Sequence, residues 1–309
     1  MIPLSLEACS VAERAHCGAR NDTALQHVVL PTNSSRPALY VAMATIPPRV
    51  AWSRTTHSAV VRVALQSLRE QTRAADAVLL SVCQRYHRFR ATKPSPSTVD
   101  IMTAMLGKSD DVEILGVCDD QGPGTKLLCA LPRLRALATA SQDAWAVMLD
   151  DDLKYKRWAL QLLERAIMDD HREAPSRHAY SYDVYTLTSD GRAVVGGLEP
   201  GLLVGSGHAL FAVRISLLDG FEDFAACVQR LEARSFYHDD VVVSMFLQDV
   251  RGVMIHRLGG TPFEAASKGC LPNSKRYAQT PQGRRAVTCR VRVGSVCSRV
   301  WRAWPQTDA

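Results

Sequence analysis

The sequence predicts an α/β domain built on a mostly parallel central sheet with helices on both faces. Three observations carry this. Four short runs are apolar from end to end, as strands buried on both faces are, and amphipathic helical patterns separate them. The chain is 309 residues long with 47% hydrophobic and 22% charged residues, the balance of an ordinary globular protein. That length suits one large domain with extensions, or two small ones.

The elements follow in order. Residues 1–36 have mixed polarity, weak periodicity and a closing TNSSRP, which reads as a polar leader or stem. ALYVAMAT (38–45) is an apolar run stopped by IPPR, as expected of a buried strand running into a loop. From His57 to Gln71, the residues Val60, Val61, Ala64, Leu65 and Leu68 recur at helical spacing. AVLLSV (77–82) and VEILGV (112–117) are the next strands, and WAVMLD (145–150) the fourth. Before it, Leu127, Leu128, Leu131 and Leu134 mark a helix that Pro132 should kink or confine to a short first segment. After it, Tyr155, Trp158, Ala159, Leu162, Leu163 and Ala166 predict one amphipathic helix. GLLVGSGHALFAVR (201–214) is glycine-punctuated and apolar, and RGVMIHR (251–257) is a late strand. One domain from 37 to 260 is the result, with a basic extension over 261–309.

Charge locates that boundary. Of 37 basic and 31 acidic residues, nine basic and two acidic lie beyond Gly260, leaving 28 against 29 in the body. The basicity belongs to the extension, and nucleic acid is not an expected partner of the domain. No window approaches the length of a membrane span. The N-terminus MIPLSLEACSVAERAHC lacks the apolar core of a secretory signal, so the chain as written reads as cytoplasmic. A secretory lumen fits only if more sequence precedes it. Asn21 and Asn33 are formal glycosylation acceptors for that case. The nine cysteines form no CxxC pair. Cys83, Cys118 and Cys129 lie in or beside apolar runs and read as buried thiols. Cys9 with Cys17, and Cys289 with Cys297, suit pairing in an oxidising compartment.

Chemistry concentrates in three places. Ligands of open parallel sheets collect at the C-terminal ends of the strands, and Asp150, Asp151 and Asp152 stand at such an end. Hard divalent cations take one or two carboxylates with phosphate oxygens and water, and Asp150 and Asp152 sit two apart, able to share a direction. A helix N-terminus also favours aspartate, but three in succession after a buried strand exceed what capping needs. DDQGPGTKLL (119–128) turns tightly into a helix carrying Lys126, a combination suited to phosphate although GxxxxGK[ST] is absent. In SFYHDDVVVSMFL (235–247), His238, Asp239 and Asp240 precede an apolar helix, as a general base or an N-cap would. His256 ends a strand, where a histidine is either structural or a metal ligand.

Taken in order, these segments resemble a GT-A glycosyltransferase close to the family-2-like inverting enzymes, over Leu39 to Leu258. The resemblance rests on ALYVAMATIPPR, on SLREQTRAADAVLLSV, on GPGTKLLCAL ahead of WAVMLDDD (similar to a DxD motif), on GSGHALFAVR and on HDDVVVSMFL. It implies a nucleotide-sugar donor, a glycan or other hydroxyl acceptor, and Mn²⁺ or Mg²⁺. By the same resemblance Asp150 and Asp152 hold the metal, and His256 matches a late histidine that some members place on it. Thr45, Ile46 and Pro47 line the nucleotide with Lys126 nearby, while Asp151 meets the ribose or sugar. Gly205, Ser206 and Gly207 wall the acceptor side, and Asp240, or else Asp239, takes the acceptor proton. Two departures stand out. The acidic residue that usually follows the second strand is missing from SVCQRYHR, leaving Asp119 or Asp120 as substitutes, and the acidic pair reads His-Asp-Asp rather than Glu-Asp. Competing readings are a nucleotidyltransferase, whose glycine- and lysine-rich loop ATIPPRV lacks, a catalytically inactive GT-A-like carbohydrate- or nucleotide-binding module, and an adaptor acting through the basic tail.

Overall fold

The computed structural model describes residues 36–46, 60–83, 112–116, 118–139, 143–173, 177–188, 193–195, 201–231, 239–260 and 263–265. Residues 1–35 of the leader, with Cys9, Cys17 and both asparagines, together with Pro47, His238, Cys289, Cys297 and nearly all of the basic extension, fall outside them.

The main sheet has seven strands: β1 (Ala38–Thr45), β2 (Ala77–Val82), β3 (Val112–Leu115), β4 (Ala144–Met148), β6 (His178–Ser181), β10 (Phe211–Arg214) and β11 (Met254–Arg257). Their spatial order is β11-β6-β10-β4-β1-β2-β3. Only β10 runs against its neighbours; the pairs β1–β2, β2–β3, β1–β4 and β6–β11 are parallel. This is the expected α/β architecture. Alternation along β1 shows how both faces are sealed. Leu39, Val41 and Met43 pack against Val61, Leu65 and Leu68 of α1 (Val60–Arg69) and Leu160, Leu163 and Ile167 of α4 (Ala159–Glu173). Tyr40 and Ala42 face the opposite layer, built from α2 (Thr125–Leu128), α3 (Leu131–Ala138), α5 (Phe221–Leu231) and α6 (Asp239–Met245), the last continued by a π-helical turn at Phe246–Val250.

Pro132 acts as expected. The leucine-rich run divides into α2 and α3, and the proline occupies the first turn of α3, where its missing N–H costs no helical hydrogen bond. Two elements differ from the sequence reading. Tyr155 joins no helix; it ends the short strand β5 (Leu153–Tyr155), which pairs antiparallel with β12 (Phe263–Ala265). β12 thus brings residues of the expected extension back onto the domain. The second difference is a separate antiparallel sheet, order β8-β7-β9, made by β7 (Val184–Leu187), β8 (Ala193–Val195) and β9 (Leu202–Gly205). It leans on α6 and the π-helical turn after it: Ser244 Oγ accepts from the Gly205 N–H at 3.2 Å, and Gln248 Nε2 donates to the Leu203 carbonyl at 2.6 Å. Among the described residues, no helix is long and apolar enough to cross a membrane.

Cys118 and Cys129 are not thiols. They form a disulfide, Cα–Cα 5.7 Å, that ties the loop after β3 to the end of α2. Cys227 on α5 is disulfide-bonded as well, and the buried Cys83 Sγ lies 3.8 Å from Thr125 Oγ1.

Candidate active site

The site forms at the C-terminal edge of the parallel strands, where β1 ends at Thr45 and β4 runs on into the acidic turn. Burial alternates through that turn: Asp150 and Asp152 are partly exposed, whereas Asp151 is completely buried. The chain path thus gives the outer aspartates to the open edge and turns the middle one inward. Asp151 was expected to meet a ribose or sugar; a fully buried carboxylate offers no surface to either. Tyr155 fixes the turn from beneath. Its hydroxyl accepts from the Asp150 N–H and donates to the Asp150 carbonyl, both at 2.9 Å. Behind it, Gln71 donates to the Lys156 carbonyl at 2.8 Å and accepts from the Leu160 N–H at 3.1 Å, so the Gln-Thr pair after α1 anchors the segment leaving the turn.

The glycine-rich turn supplies the charge partner. Gly122 has φ +63°, a conformation that favours glycine, and Asp120 Oδ1 accepts its N–H at 2.9 Å. Asp120 is therefore buried as a turn-former, and Asp119 remains exposed beside it. The turn delivers Lys126, itself buried, into a group of carboxylates. Its Nζ lies 2.8 Å from Asp150 Oδ1 and 3.3 Å from Asp239 Oδ2. Burial alone would lower the Lys126 pKa, but Asp150, Asp239 and Asp240 more than offset it and hold the ammonium charged.

Asp239 and Asp240 open α6. Asp240 Oδ1 accepts from the Gly207 N–H at 2.9 Å and Oδ2 from Ser206 Oγ at 3.3 Å. A Cβ on Gly207 would stand 2.8 Å from Asp240 Oδ1 and 2.9 Å from Lys126 Nζ, so a larger residue there would displace both charged groups. Burial, then the Asp239 charge, push Asp240 up to about 7, with Lys126 pulling the other way. Ser206 also meets His208 Nδ1, and His208 Nε2 lies 3.7 Å from Asp183 Oδ2.

Of the residues singled out in the sequence, Asp150, Lys126, Asp239 and Asp240 converge, and Ser206 and Gly207 close on Asp240. Thr45 lies buried at the end of β1 with Ile46 half-buried beside it. His256 does not join them. In register with Tyr180 on β11, it sits three strand spacings from β4, about 14 Å. Its ring packs 4.1 Å from that of His178, which contacts Asp170, and burial followed by His178 lowers its pKa. The contacts given for its ring are with His178 and Tyr180 rather than with the acidic turn. Tyr155 was missed because it fits the helical stripe that follows. Gly207 was legible only as a wall residue, since its contact with Asp240 links positions 33 apart in sequence.

No protein-family profile and no curated protein matches the chain. Among solved structures it is similar to the 4-diphosphocytidyl-2C-methyl-D-erythritol synthase from Anaerococcus prevotii, with 12% identity, a TM-score of 0.41 and coverage of 75% of this chain and 92% of that one. It is also similar to residues 1–349 of S. aureus TarS, with 14% identity, a TM-score of 0.41 and coverage of 74% of this chain. The chain spans 60% of that TarS structure. The architecture described above stands on strand order and pairing rather than on these distant likenesses.

Proposed function

We propose that this chain is a metal-dependent glycosyltransferase that moves a sugar from a nucleotide-sugar to an acceptor hydroxyl. The observation that supports it most is the convergence of Asp150, Lys126, Asp239 and Asp240 at the ligand-collecting edge of the sheet. The donor chemistry suits Mn²⁺ or Mg²⁺. Asp150 and Asp152 reach the open edge on either side of an inward Asp151, and two carboxylates are the usual protein share for such ions. Substrate phosphate oxygens and water would complete the coordination of such an ion; among the described residues no group of three or more His, Cys, Asp or Glu could hold a metal. When bound, the ion offsets the charge that builds on the departing diphosphate.

The chain's own groups do the rest. Thr45 and Ile46 border the nucleotide, with Lys126 nearby, its ammonium held between Asp150 and Asp239. Asp240 accepts the proton of the acceptor hydroxyl as its oxygen bonds to the anomeric carbon and the bond to the diphosphate breaks. The Gly207 N–H and Ser206 hydroxyl hold that carboxylate in one orientation, and a pKa near neutrality suits a general base. Attack from the side opposite the leaving group inverts the anomeric centre.

A second reading, a nucleotide- or carbohydrate-binding module without turnover, draws on one observation: Lys126 already neutralises Asp150. Thermal-shift titration of nucleotide-sugars with Mn²⁺, Mg²⁺ or chelator separates the two. A folded-state ligand raises the midpoint. The transferase gives a metal-dependent shift with one donor, lost in Asp152→Ala, together with release of nucleotide. A shift indifferent to chelator and without nucleotide release supports the module, and equal donor affinity in Asp152→Ala ends the metal-site assignment.

A further inference from the structure

We propose that Ser206, His208 and Asp183 form a proton relay that empties Asp240 after each transfer; this rests on the glycosyl-transfer reading above, in which Asp240 takes the acceptor proton. A base that keeps that proton cannot serve the next acceptor, so the proton must leave through groups that touch the carboxylate. The structure lays out one such path. Ser206 Oγ lies 3.3 Å from Asp240 Oδ2 and contacts His208 Nδ1 on its other side, and His208 Nε2 lies 3.7 Å from Asp183 Oδ2. Exposure rises along it: Ser206 is buried, whereas the His208 and Asp183 side chains are 44% and 39% exposed. The path begins at the base and ends in solvent.

Hydrogen-bond chemistry gives the path its direction. The Asp183 carboxylate favours a proton on His208 Nε2, which leaves Nδ1 as an acceptor. Ser206 has one hydroxyl proton and, while Asp240 is ionised, two acceptors for it, Asp240 and Nδ1. Once Asp240 is protonated, its own O–H donates to Ser206 Oγ, Ser206 donates to Nδ1, and the chain is complete. The shift balances. The Asp240 O–H bond breaks as a new Ser206 O–H bond forms, and the former Ser206 proton bonds to Nδ1. What remains is a carboxylate, a hydroxyl and an imidazolium facing Asp183, and the imidazolium gives one proton to water from its exposed side. All three residues act through Asp240 and are positioning rather than catalytic residues.

The fold holds this path in place. The Ser206 N–H donates to the Asp183 carbonyl at 2.9 Å, and Ser181 Oγ donates to the same carbonyl at 3.0 Å, tying the end of β9 to the bend between β6 and β7. The Tyr155 hydroxyl, which brackets Asp150, lies 3.4 Å from the His208 carbonyl. Leu210, two residues beyond His208, has φ +75° although it is not glycine. Backbone of that kind is costly for a leucine and persists only where its surroundings impose it, a feature that clusters at functional sites.

The full chain with ¹⁵N-labelled histidine gives the first test. Asp240→Asn supplies an amide that donates to Ser206 as a protonated carboxyl does. In that variant, long-range ¹⁵N–¹H correlation at pH 8 should show His208 in the Nε2–H form with a hydrogen-bonded Nδ1, and adding Ser206→Ala should abolish the hydrogen-bond displacement of the Nδ1 signal. An Nδ1–H form, or an Nδ1 signal indifferent to Ser206→Ala, overturns the relay. Turnover gives the second test, read as nucleotide release from UDP-, GDP- or CDP-glucose with Mn²⁺ and with water as the acceptor. His208→Ala and Ser206→Ala should each lower kcat by at least about ten-fold while the donor KM and the donor-induced thermal shift stay unchanged. Added imidazole should restore kcat in His208→Ala, where the missing ring bordered solvent, and not in Ser206→Ala. Full kcat in either variant, or no recovery with imidazole, counts against the relay. If no nucleotide-sugar shifts the wild type, the transfer reading fails instead, and the histidine tautomer, which needs no donor, still decides the path.

Discussion

At the scale of single residues, the site is a contest between burial and charge. Asp240 has its carboxyl pushed up to about 7, first by burial and then by Asp239. The folded protein therefore binds that proton more tightly than the unfolded chain, whose aspartates titrate near 3.9. The stabilisation this gives is complete below about pH 4 and is lost as pH rises through about 7. Between pH 5 and pH 8 the urea midpoint of the wild type should fall more than that of Asp240→Asn. Transfer by the wild type should rise over the same range to a plateau above pH 7, while the Asn variant binds donor and transfers nothing. Equal pH dependence of the two midpoints would remove the argument. Lys126 gives the complementary case. Lys126→Met leaves Asp150, Asp239 and Asp240 without their shared countercharge. Removing one partner of a buried pair costs about 3–5 kcal/mol, and without Lys126, which pulls it down, the Asp240 carboxyl is pushed up further, so the penalty is largest at high pH and relieved by protonation. Urea unfolding of the variant at pH 8 and pH 5.5 should show the loss shrinking toward the lower value.

At the scale of elements, what the sequence disclosed followed how completely each element is buried. Ala38–Thr45 and Ala77–Val82 carry the bounds expected of them because each is apolar on both faces and ends where the polar chain begins. The same logic failed for Leu153–Tyr155. Three residues carry no period, and Tyr155 lies in phase with the helix that follows. The antiparallel β7–β9 sheet lacked a legible pattern for a related reason, being built from strands of three or four residues. Asp150 and Asp240 were legible as acidic motifs ahead of apolar segments, yet no local signal revealed that Lys126 would sit between them. The Cys118–Cys129 bridge was equally hidden, since a separation of 11 residues fits no pairing motif. Its consequence is testable. A loop of that length should contribute about 3 kcal/mol by restricting the unfolded chain. The Cys118→Ser, Cys129→Ser double variant should lose roughly that much in urea unfolding and, because the bridge anchors the turn ahead of Lys126, should also bind donor more weakly. Unchanged donor affinity with lowered stability would confine the bridge to a structural role.

At the scale of the whole molecule, two layers of helix hold a sheet whose C-terminal edge must stay both open and rigid. Openness comes from strand order: the single reversed strand β10 interrupts the parallel series beside β4, and the chain entering β10 brings Gly207 against Asp240. Rigidity is borrowed from distant sequence. The acidic turn is held by Tyr155, Tyr155 accompanies β5, and β5 is paired by β12, more than a hundred residues later. Backbone pairing crosses the charge step after residue 260, since Phe263–Ala265 pairs with Leu153–Tyr155. Two truncations isolate this contribution. A chain ended after Gly260 removes β12, whereas one ended after residue 270 keeps it. The shorter chain should show the lower thermal midpoint and the weaker donor-dependent shift, since β5 then presents an unpaired edge and the turn above it loses its support. If both truncations bind donor as the full chain does, the acidic turn is held by Tyr155 and Gln71 alone, and the pairing across the charge boundary has no part in the site.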